Sequence, residues 1–177
     1  YQAEHEVTIS LFEMCDKKTN RVIDVGAGVT TLIDALEQMN YQVSVLDVSS
    51  EALRTLKSRH GNRISYLHGD LTNELQLDDY DIWHDRAVFH FLLEEEQKKA
   101  YVKNLESCIS SGGYAIIETF ATDGAQMCCG LQLCTYDESK LRSLLGEGWK
   151  LVHSLRHIHM NPFGGERPYV SAIFQRK

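Results

Sequence analysis

The sequence predicts an α/β fold in which a mostly parallel sheet ends in one antiparallel hairpin. Short runs rich in Val, Ile and aromatic residues alternate with segments whose apolar residues recur at helical spacing. Such nearly continuous apolar strands are typical of sheets covered by helices on both faces, and the alternation requires parallel strands with right-handed crossovers. The last two β-like runs are joined by a turn too short for a crossover, so they must pair antiparallel.

Seven short apolar runs are the predicted strands. In chain order they cover residues 21–25, 43–48, 64–67, 81–83, 114–120, 149–157 and 169–175. The turn of the predicted hairpin is the glycine- and proline-containing segment 161–165.

Helices are predicted before and between these strands. A covering helix runs from about Ala3 to Cys15, and an apolar stripe over 32–39 predicts the helix after the first strand. Ser49 is the predicted N-cap of the next helix. A longer helix is predicted over 94–109, and a short one follows Asp137 and stops at Gly146.

The long helix has its own predicted supports. Glu94–Lys98 and Glu95–Lys99 have the i,i+4 spacing of stabilising ion pairs. Tyr101, Leu105 and Cys108 recur at helical spacing and are predicted to form its buried face.

Length and charge restrict the classes of function. The chain has 177 residues, which suits a single domain over 1–177 with residues 1–20 as a covering segment. Its net charge is −7, which argues against a nucleic-acid partner, because binding phosphates requires clustered Lys and Arg. No apolar run approaches the roughly 18 residues of a membrane span.

The five cysteines indicate a reducing compartment. An odd number of cysteines without a recognisable secretory leader is typical of reduced thiols in the cytoplasm. Cys15 and Cys108 lie on apolar helix stripes and are predicted core residues. We expect a cytoplasmic protein that is a monomer or a weak dimer.

Three strand ends carry acidic residues next to flexible loops. Asp24 precedes Gly26 and Gly28, Asp47 ends the second strand, and Asp70 follows the third. Glycines here let the backbone turn tightly beside a ligand, and the carboxyl ends of parallel strands form the binding crevice of such sheets. An acid about 20 residues beyond the glycine loop can accept ribose hydroxyls. Each feature also has a structural alternative. The glycine loop after Asp24 could be only a tight turn, Asp47 an acid at a helix N-terminus, and Asp70 a turn residue in a loop.

The ordered segments VIDVGAG, VSVLDVS, SYLHGDL, YDIWHDRAVFHFL and SGGYAIIETF resemble the class I S-adenosylmethionine-dependent methyltransferases. The resemblance covers nearly the whole chain from about residue 20. It implies a Rossmann-like, seven-stranded, mostly parallel sheet with helices on both faces and an antiparallel last strand. The segment WHDRAVFHF is similar to that of a compact bacterial subgroup of these enzymes.

The resemblance also implies a cofactor site for S-adenosylmethionine. Asp24, Gly26, Ala27 and Gly28 would frame its methionine part, with His84 nearby. Its nucleoside would lie along residues at the second and third strand ends, which are Asp47, Val48, Asp70 and Leu71.

Catalytic candidates follow the fourth strand. Methyl transfer from a sulfonium mainly requires alignment, and a general base is needed only when the acceptor arrives protonated. His84 could accept a proton, Asp85 could hold the cofactor's ammonium or orient the acceptor, and Arg86 could pair with a carboxylate. The alternative for all three is a buried ion pair that fixes the loop.

Two more residues are candidates for contact with the acceptor. His90 is one, with core packing as its alternative, and Cys128 is the other. Cys128, Cys129 and Cys134 lack the CxxC spacing of zinc ligands, so no metal is predicted and the three are interpreted as half-buried apolar residues of a lid.

The predicted function is methyl transfer to an unidentified acceptor, with a small molecule favoured over a protein lysine. A nicotinamide-dependent oxidoreductase is a weaker alternative, because Thr31 replaces the third glycine of the dinucleotide motif. A non-catalytic module that binds the cofactor is the other alternative.

Overall fold

The computed structural model describes residues 5–16, 18, 20–128, 130–160 and 165–177. Its main sheet has seven strands in the order β3-β2-β1-β4-β5-β9-β8. The strands from β3 to β5 are parallel, and β9 pairs antiparallel with both β5 and β8. The strands of this sheet are β1 Arg21–Val25, β2 Gln42–Asp47, β3 Ser65–His68, β4 Tyr80–Arg86, β5 Ile109–Phe120, β8 Trp149–Met160 and β9 Glu166–Arg176.

Within the described residues, five α-helices cover the two faces of this sheet. They are α1 Glu6–Glu13, α2 Ile33–Gln38, α3 Ser50–His60, α4 Glu95–Cys108 and α5 Glu138–Leu145. The first three bury apolar residues in the cluster on one face, and α4 and α5 do so on the other. Within the described part of the chain, no helix is both long enough and apolar enough to cross a bilayer.

The predicted architecture is confirmed, including the hairpin, whose strands β8 and β9 pair in antiparallel register. The bounds of β1 are those predicted, and Ser49 caps α3 by accepting a hydrogen bond from the amide of Ala52 at 3.2 Å. Residues 161–164 of the predicted hairpin turn lie outside the described residues. The same holds for residues 1–4 at the start of the predicted covering helix.

Four strands, β4, β5, β8 and β9, are longer than their apolar runs. The fourth strand extends to Arg86, so the segment His84-Asp85-Arg86 belongs to the strand and not to the loop after it. The fifth begins at Ile109, where it pairs with Tyr80. Gly112 adopts a φ of +86° inside the strand, so it bends the chain without interrupting it.

The ion pairs of the long helix have a different spacing from the prediction. Lys98 pairs with Glu95 and Lys99 pairs with Glu96, both at i,i+3 and 2.8 Å. Glu94 is instead the N-cap, in a capping box with Gln97. The helix therefore begins one residue later than predicted, and its N-cap acid is unavailable for the predicted pair.

Two short elements were not predicted. A 3-10 turn over Phe89–Phe91 follows β4, and β6 Met127–Cys128 pairs with β7 Leu131–Gln132 in a small separate hairpin. Segments of two or three residues are too short for hydrophobic periodicity to reveal.

Candidate functional site

The loop after β1 is held against the second strand. The amide of Gly26 donates to the carbonyl of Leu46 at 2.7 Å, and Gly26 and Gly28 have φ angles of +62° and +56°. Residues with side chains rarely adopt this left-handed conformation. A Cβ atom on Gly26 would overlap the side chain of Val88, whereas one on Gly28 would meet open space. The two predicted glycines are therefore required by backbone conformation, and Gly26 also by close packing.

A cavity of about 490 Å³ opens beside this loop at the carboxyl edge of the sheet. The loop, the ends of β4, β8 and β9, and the start of the chain all contribute to its wall. The lining residues are His5, Asp24, Gly26, Ala27, Val29, Thr30, Thr31, Leu32, His84, Arg86, Ala87, His159 and Tyr169. Its volume lies in the range of small-molecule sites.

The second predicted acid, Asp47, organises the neighbouring backbone. Its carboxylate accepts hydrogen bonds from the amides of Gly28 and Ser49, both at 2.7 Å. A carboxylate offers about four acceptor positions, so these two bonds leave capacity for hydroxyl donors. Asp47 lies outside the cavity lining, on the strand next to β1.

The third predicted acid combines a turn with an available oxygen. Oδ1 of Asp70 accepts hydrogen bonds from the amide and the hydroxyl of Thr72, at 2.9 and 2.7 Å, as the loop-turn alternative requires. Oδ2 of Asp70 has no hydrogen-bond partner among the described residues. Leu71 is buried, and Val48 at the end of β2 is 65% exposed.

His84 lies between two buried carboxylates. Its Nδ1 is 2.6 Å from Oδ1 of Asp24, and its Nε2 is 3.2 Å from Oε1 of Glu118. Burial lowers the pKa of His84, but the two carboxylates outweigh this effect and raise the pKa to about 9. The same contact lowers the pKa of Glu118 to about 2 against the effect of its burial. His84 is therefore an imidazolium whose two N–H groups both donate to carboxylates.

The polar network continues through Glu118 to the edge of the sheet. The hydroxyl of Thr8 on α1 donates to Oε1 of Glu118 at 2.6 Å, and that of Ser171 on β9 donates to Oε2 at 2.9 Å. Ser171 also pairs with Nε2 of His157 on β8 at 3.0 Å. Hydrogen bonds thus link α1 to five adjacent strands, from β1 to β8.

Sequence reasoning missed Glu118. The available signal was a carboxylate within an otherwise apolar buried strand, because a buried charge needs a partner. Its position opposite Arg86 in the strand register, and its contact with His84, appear only in the tertiary structure.

Asp85 faces away from the cavity. Successive residues of a strand point to opposite faces, so Asp85 lies on the side opposite His84 and Arg86. Its carboxylate accepts hydrogen bonds from the amides of Val88 and Phe89 and from the hydroxyl of Tyr101, the last at 2.7 Å. Burial raises the pKa of Asp85 to about 6 despite these bonds. This geometry favours a role in fixing the turn after β4 over contact with the cofactor's ammonium.

Arg86 extends into the cavity from the end of β4. Its Nη2 donates to Nδ1 of His159 at 3.3 Å, although β5 and β9 lie between β4 and β8 in the sheet. The ring of His159 lies 5.5 Å from that of Tyr169. His159 on β8 and Tyr169 on β9 therefore lie on the cavity side of the sheet and form part of the cavity wall.

His90 is fully buried and does not line the cavity. Its Nδ1 pairs with the hydroxyl of Thr119 at 3.0 Å, and its ring packs against Phe91 and Phe120. Burial lowers its pKa to about 4. This environment favours the packing alternative over contact with an acceptor.

The described cysteines of the predicted lid do not converge. Cys128 packs with the small cluster around Phe120 and Tyr169, which places it next to the cavity wall. Cys134 packs against the other core cluster, and its thiol faces the carbonyl of Leu92. Cys129 lies outside the described residues.

One group among the described residues has the spacing of metal ligands, and an arginine already lies within it. Asp34, Glu37 and His60 bring their ligand atoms together on the surface. The guanidinium of Arg63 is 3.2 Å from Asp34, 2.9 Å from Glu37 and 2.9 Å from Nδ1 of His60. This cation pairs with both carboxylates and occupies the position that a metal ion would need.

The sheet order, the glycine loop and the acidic strand ends together define a class I S-adenosylmethionine-dependent methyltransferase. A family model described as a methyltransferase domain matches residues 22–113, more than half of the chain. The chain belongs to this family, and its cofactor is S-adenosylmethionine. This decides against the nicotinamide alternative. No curated protein matches the sequence.

Solved structures of methyltransferases share the fold. One from Anabaena variabilis superposes with a TM-score of 0.81 at 18% identity, covering 100% of this chain and 86% of its own. One from Methanosarcina mazei gives 0.78 at 14% identity, with 94% and 96% covered. The 1,6-didemethyltoxoflavin-N1-methyltransferase of Burkholderia thailandensis, solved with that compound and S-adenosylhomocysteine, gives 0.75 at 17% identity, with 99% and 77% covered.

Proposed function

We propose that the protein transfers the methyl group of S-adenosylmethionine to a small molecule that enters the cavity beside the glycine loop. The observation that carries this proposal is the position of the cavity. It lies between Asp24 and the glycine loop on one side and His159 and Tyr169 on the other. A cavity of about 490 Å³ beside the glycine loop suits a small acceptor better than a folded protein surface. The toxoflavin enzyme, which shares the fold, binds a small acceptor of this kind.

Acidic side chains at the strand ends provide the hydrogen-bond acceptors that fit the cofactor. Asp24 offers a carboxylate oxygen to the methionine ammonium, since His84 engages Oδ1. Asp47 would accept the ribose hydroxyls, and Oδ2 of Asp70 would accept the adenine amine. The nucleoside would lie against the exposed side chain of Val48 and the backbone of Gly28, where no Cβ atom prevents close contact.

The residues of the chain contribute alignment and charge. S-adenosylmethionine supplies a methyl group already activated on a sulfonium, and good alignment lowers such a barrier by roughly 7–11 kcal/mol. His84 is a positioning residue in this proposal, because both of its N–H groups hold carboxylates. Asp85 fixes the turn after β4, and Arg86 contacts the acceptor.

The narrower family placement is also a proposal. The segment WHDRAVFHF, residues 83–91, forms the end of β4 and the 3-10 turn after it. We infer from this segment a compact bacterial subgroup, and we infer that residues 1–177 act as one domain.

Transfer of isotopic label tests the function. The protein is incubated with methyl-labelled S-adenosylmethionine and bacterial extract separated into small molecules and protein. Label in the small-molecule pool is expected. Label confined to protein would support a lysine acceptor instead. Stabilisation by S-adenosylhomocysteine without label in any pool would indicate a non-catalytic binding module.

A further inference from the structure

We infer that the methyl acceptor is an anion whose carboxylate pairs with Arg86. This inference rests on the proposed function and specifies its acceptor. A guanidinium has five N–H donors in a planar fork that matches a carboxylate. Among the described residues, Arg86 uses one of them, towards His159, and forms no ion pair within 4 Å.

The carboxylates next to the cavity already have partners. The carboxylates of Asp24 and Glu118 both face the imidazolium of His84. Glu118 also accepts hydrogen bonds from Thr8 and Ser171. Arg86 is therefore the lining cation of the described cavity without a carboxylate in contact. Arg86 is half-buried, and an anionic ligand at its remaining N–H donors would accept charge-assisted hydrogen bonds, which favours such a ligand.

The same charge opposes a lysine acceptor. A lysine ammonium entering the cavity would approach Arg86 with like charge, which disfavours binding. The aromatic rings of Tyr169 and His159 form the wall next to the guanidinium. The part of the cavity around Arg86 therefore fits a small anion with an apolar body better than a cationic side chain.

A carboxylate at Arg86 could come from either of two ligands. The cofactor has one on its methionine part, and the inferred acceptor has another. We assign Arg86 to the acceptor because its side chain extends from β4 to His159 on β8, away from Asp24 on β1 and the glycine loop that follows it. Affinity measurements with two cofactor analogues distinguish these sources. 5′-Methylthioadenosine lacks the methionine carboxylate, whereas S-adenosylhomocysteine retains it.

The experiment compares the unmodified protein with Arg86→Gln and a matched control, Arg156→Gln. Arg156 is an exposed β8 residue paired with Glu138, so the control removes the same charge outside the cavity. The small molecules of a bacterial extract are separated by anion exchange and incubated with labelled cofactor. Label is expected in the retained anionic pool, and Arg86→Gln is expected to lower labelling at least tenfold. Arg156→Gln should leave labelling unchanged, and Arg86→Gln should change the Kd of S-adenosylhomocysteine less than twofold.

Three outcomes overturn the inference. Label in a neutral or cationic pool shows that the acceptor is not an anion. A tenfold loss of affinity for S-adenosylhomocysteine in Arg86→Gln, with affinity for 5′-methylthioadenosine unchanged, assigns the guanidinium to the cofactor. Binding of S-adenosylhomocysteine with no label in any pool refutes the proposed function itself and this inference with it.

Discussion

Replacing His84 with glutamine tests whether this residue holds the site together electrostatically. The imidazolium lies between the carboxylates of Asp24 and Glu118, and all three side chains are buried. His84→Gln removes the cation and leaves two negative charges in a low-dielectric interior. Removing one partner of a buried ion pair typically costs about 3–5 kcal/mol.

The pKa of His84 gives a second measure of this effect. The pKa rises from 6.5 to about 9 on folding, and each pKa unit corresponds to about 1.4 kcal/mol. Because the folded-state pKa is raised, this stabilisation is fully present below pH 6.5 and is lost as the pH rises through 9. The contribution of His84 protonation to the free energy of unfolding should therefore fall from about 3 kcal/mol at pH 6 to less than about 1 kcal/mol at pH 9.

Urea unfolding of both proteins at several pH values between 6 and 9 measures this difference. Titrating groups far from His84 affect the unmodified protein and the variant alike, so subtracting the two free energies of unfolding isolates His84 together with the carboxylates that it contacts. Asp85 titrates near pH 6, at the lower limit of this range.

The double variant His84→Gln with Glu118→Gln is the control. It removes a second buried charge, so it should recover part of the stability that His84→Gln loses. A stability difference that stays constant from pH 6 to pH 9, or is below about 1 kcal/mol at pH 6, would refute the proposed imidazolium. His84 would then be neutral and able to accept a proton.

Three further substitutions test other parts of the site. Asp47→Ala should weaken binding of S-adenosylhomocysteine about 10- to 100-fold by calorimetry, because the ribose and the loop amides lose a charged acceptor. Tyr101→Phe should lower the free energy of unfolding by about 2–3 kcal/mol, because the buried indole N–H of Trp83 loses its acceptor at 2.8 Å. Gly26→Ala should cost about 2 kcal/mol or more, since a left-handed φ is combined with overlap against Val88. Adding Val88→Ala should restore part of that loss.

Each of these substitutions has a control within the chain. Asp78→Ala removes an exposed acid and should leave cofactor affinity unchanged. Tyr66→Phe removes an exposed hydroxyl that donates to Gly61, and should cost less than 1 kcal/mol. Gly28→Ala meets open space and should cost only about 1 kcal/mol for its φ angle. If a control substitution had the same effect as the test substitution with which it is paired, the physical cause assigned to that test substitution would be incorrect.

Much of the fold could be predicted because its determinants are local. Val and Ile runs mark buried strands, Ser49 and Asp137 cap helices, and a short turn requires an antiparallel hairpin. The order of acidic strand ends likewise placed Asp24, Asp47 and Asp70 at one edge of the sheet, since parallel strands end on the same side.

The roles of the three residues at the end of β4 could not be predicted from the sequence in the same way. The apolar run ended at Trp83, so the strand character of the next three residues was hidden. Once these residues lie in a strand, alternation sends His84 and Arg86 to the cavity and Asp85 to the opposite core. Sequence spacing does not distinguish these two environments.

The sequence alone determined the class of fold, the positions of the helices and most strands, and the sheet edge at which we propose that the cofactor binds, because periodicity, caps and turns act within a few residues. Only the tertiary structure decided what each charged side chain does there. Glu118 meets His84 and Arg86 meets His159 across 34 and 73 residues of chain. The state and partner of a buried charge depend on such contacts, because burial is tolerated only where an opposite charge or a hydrogen bond compensates it.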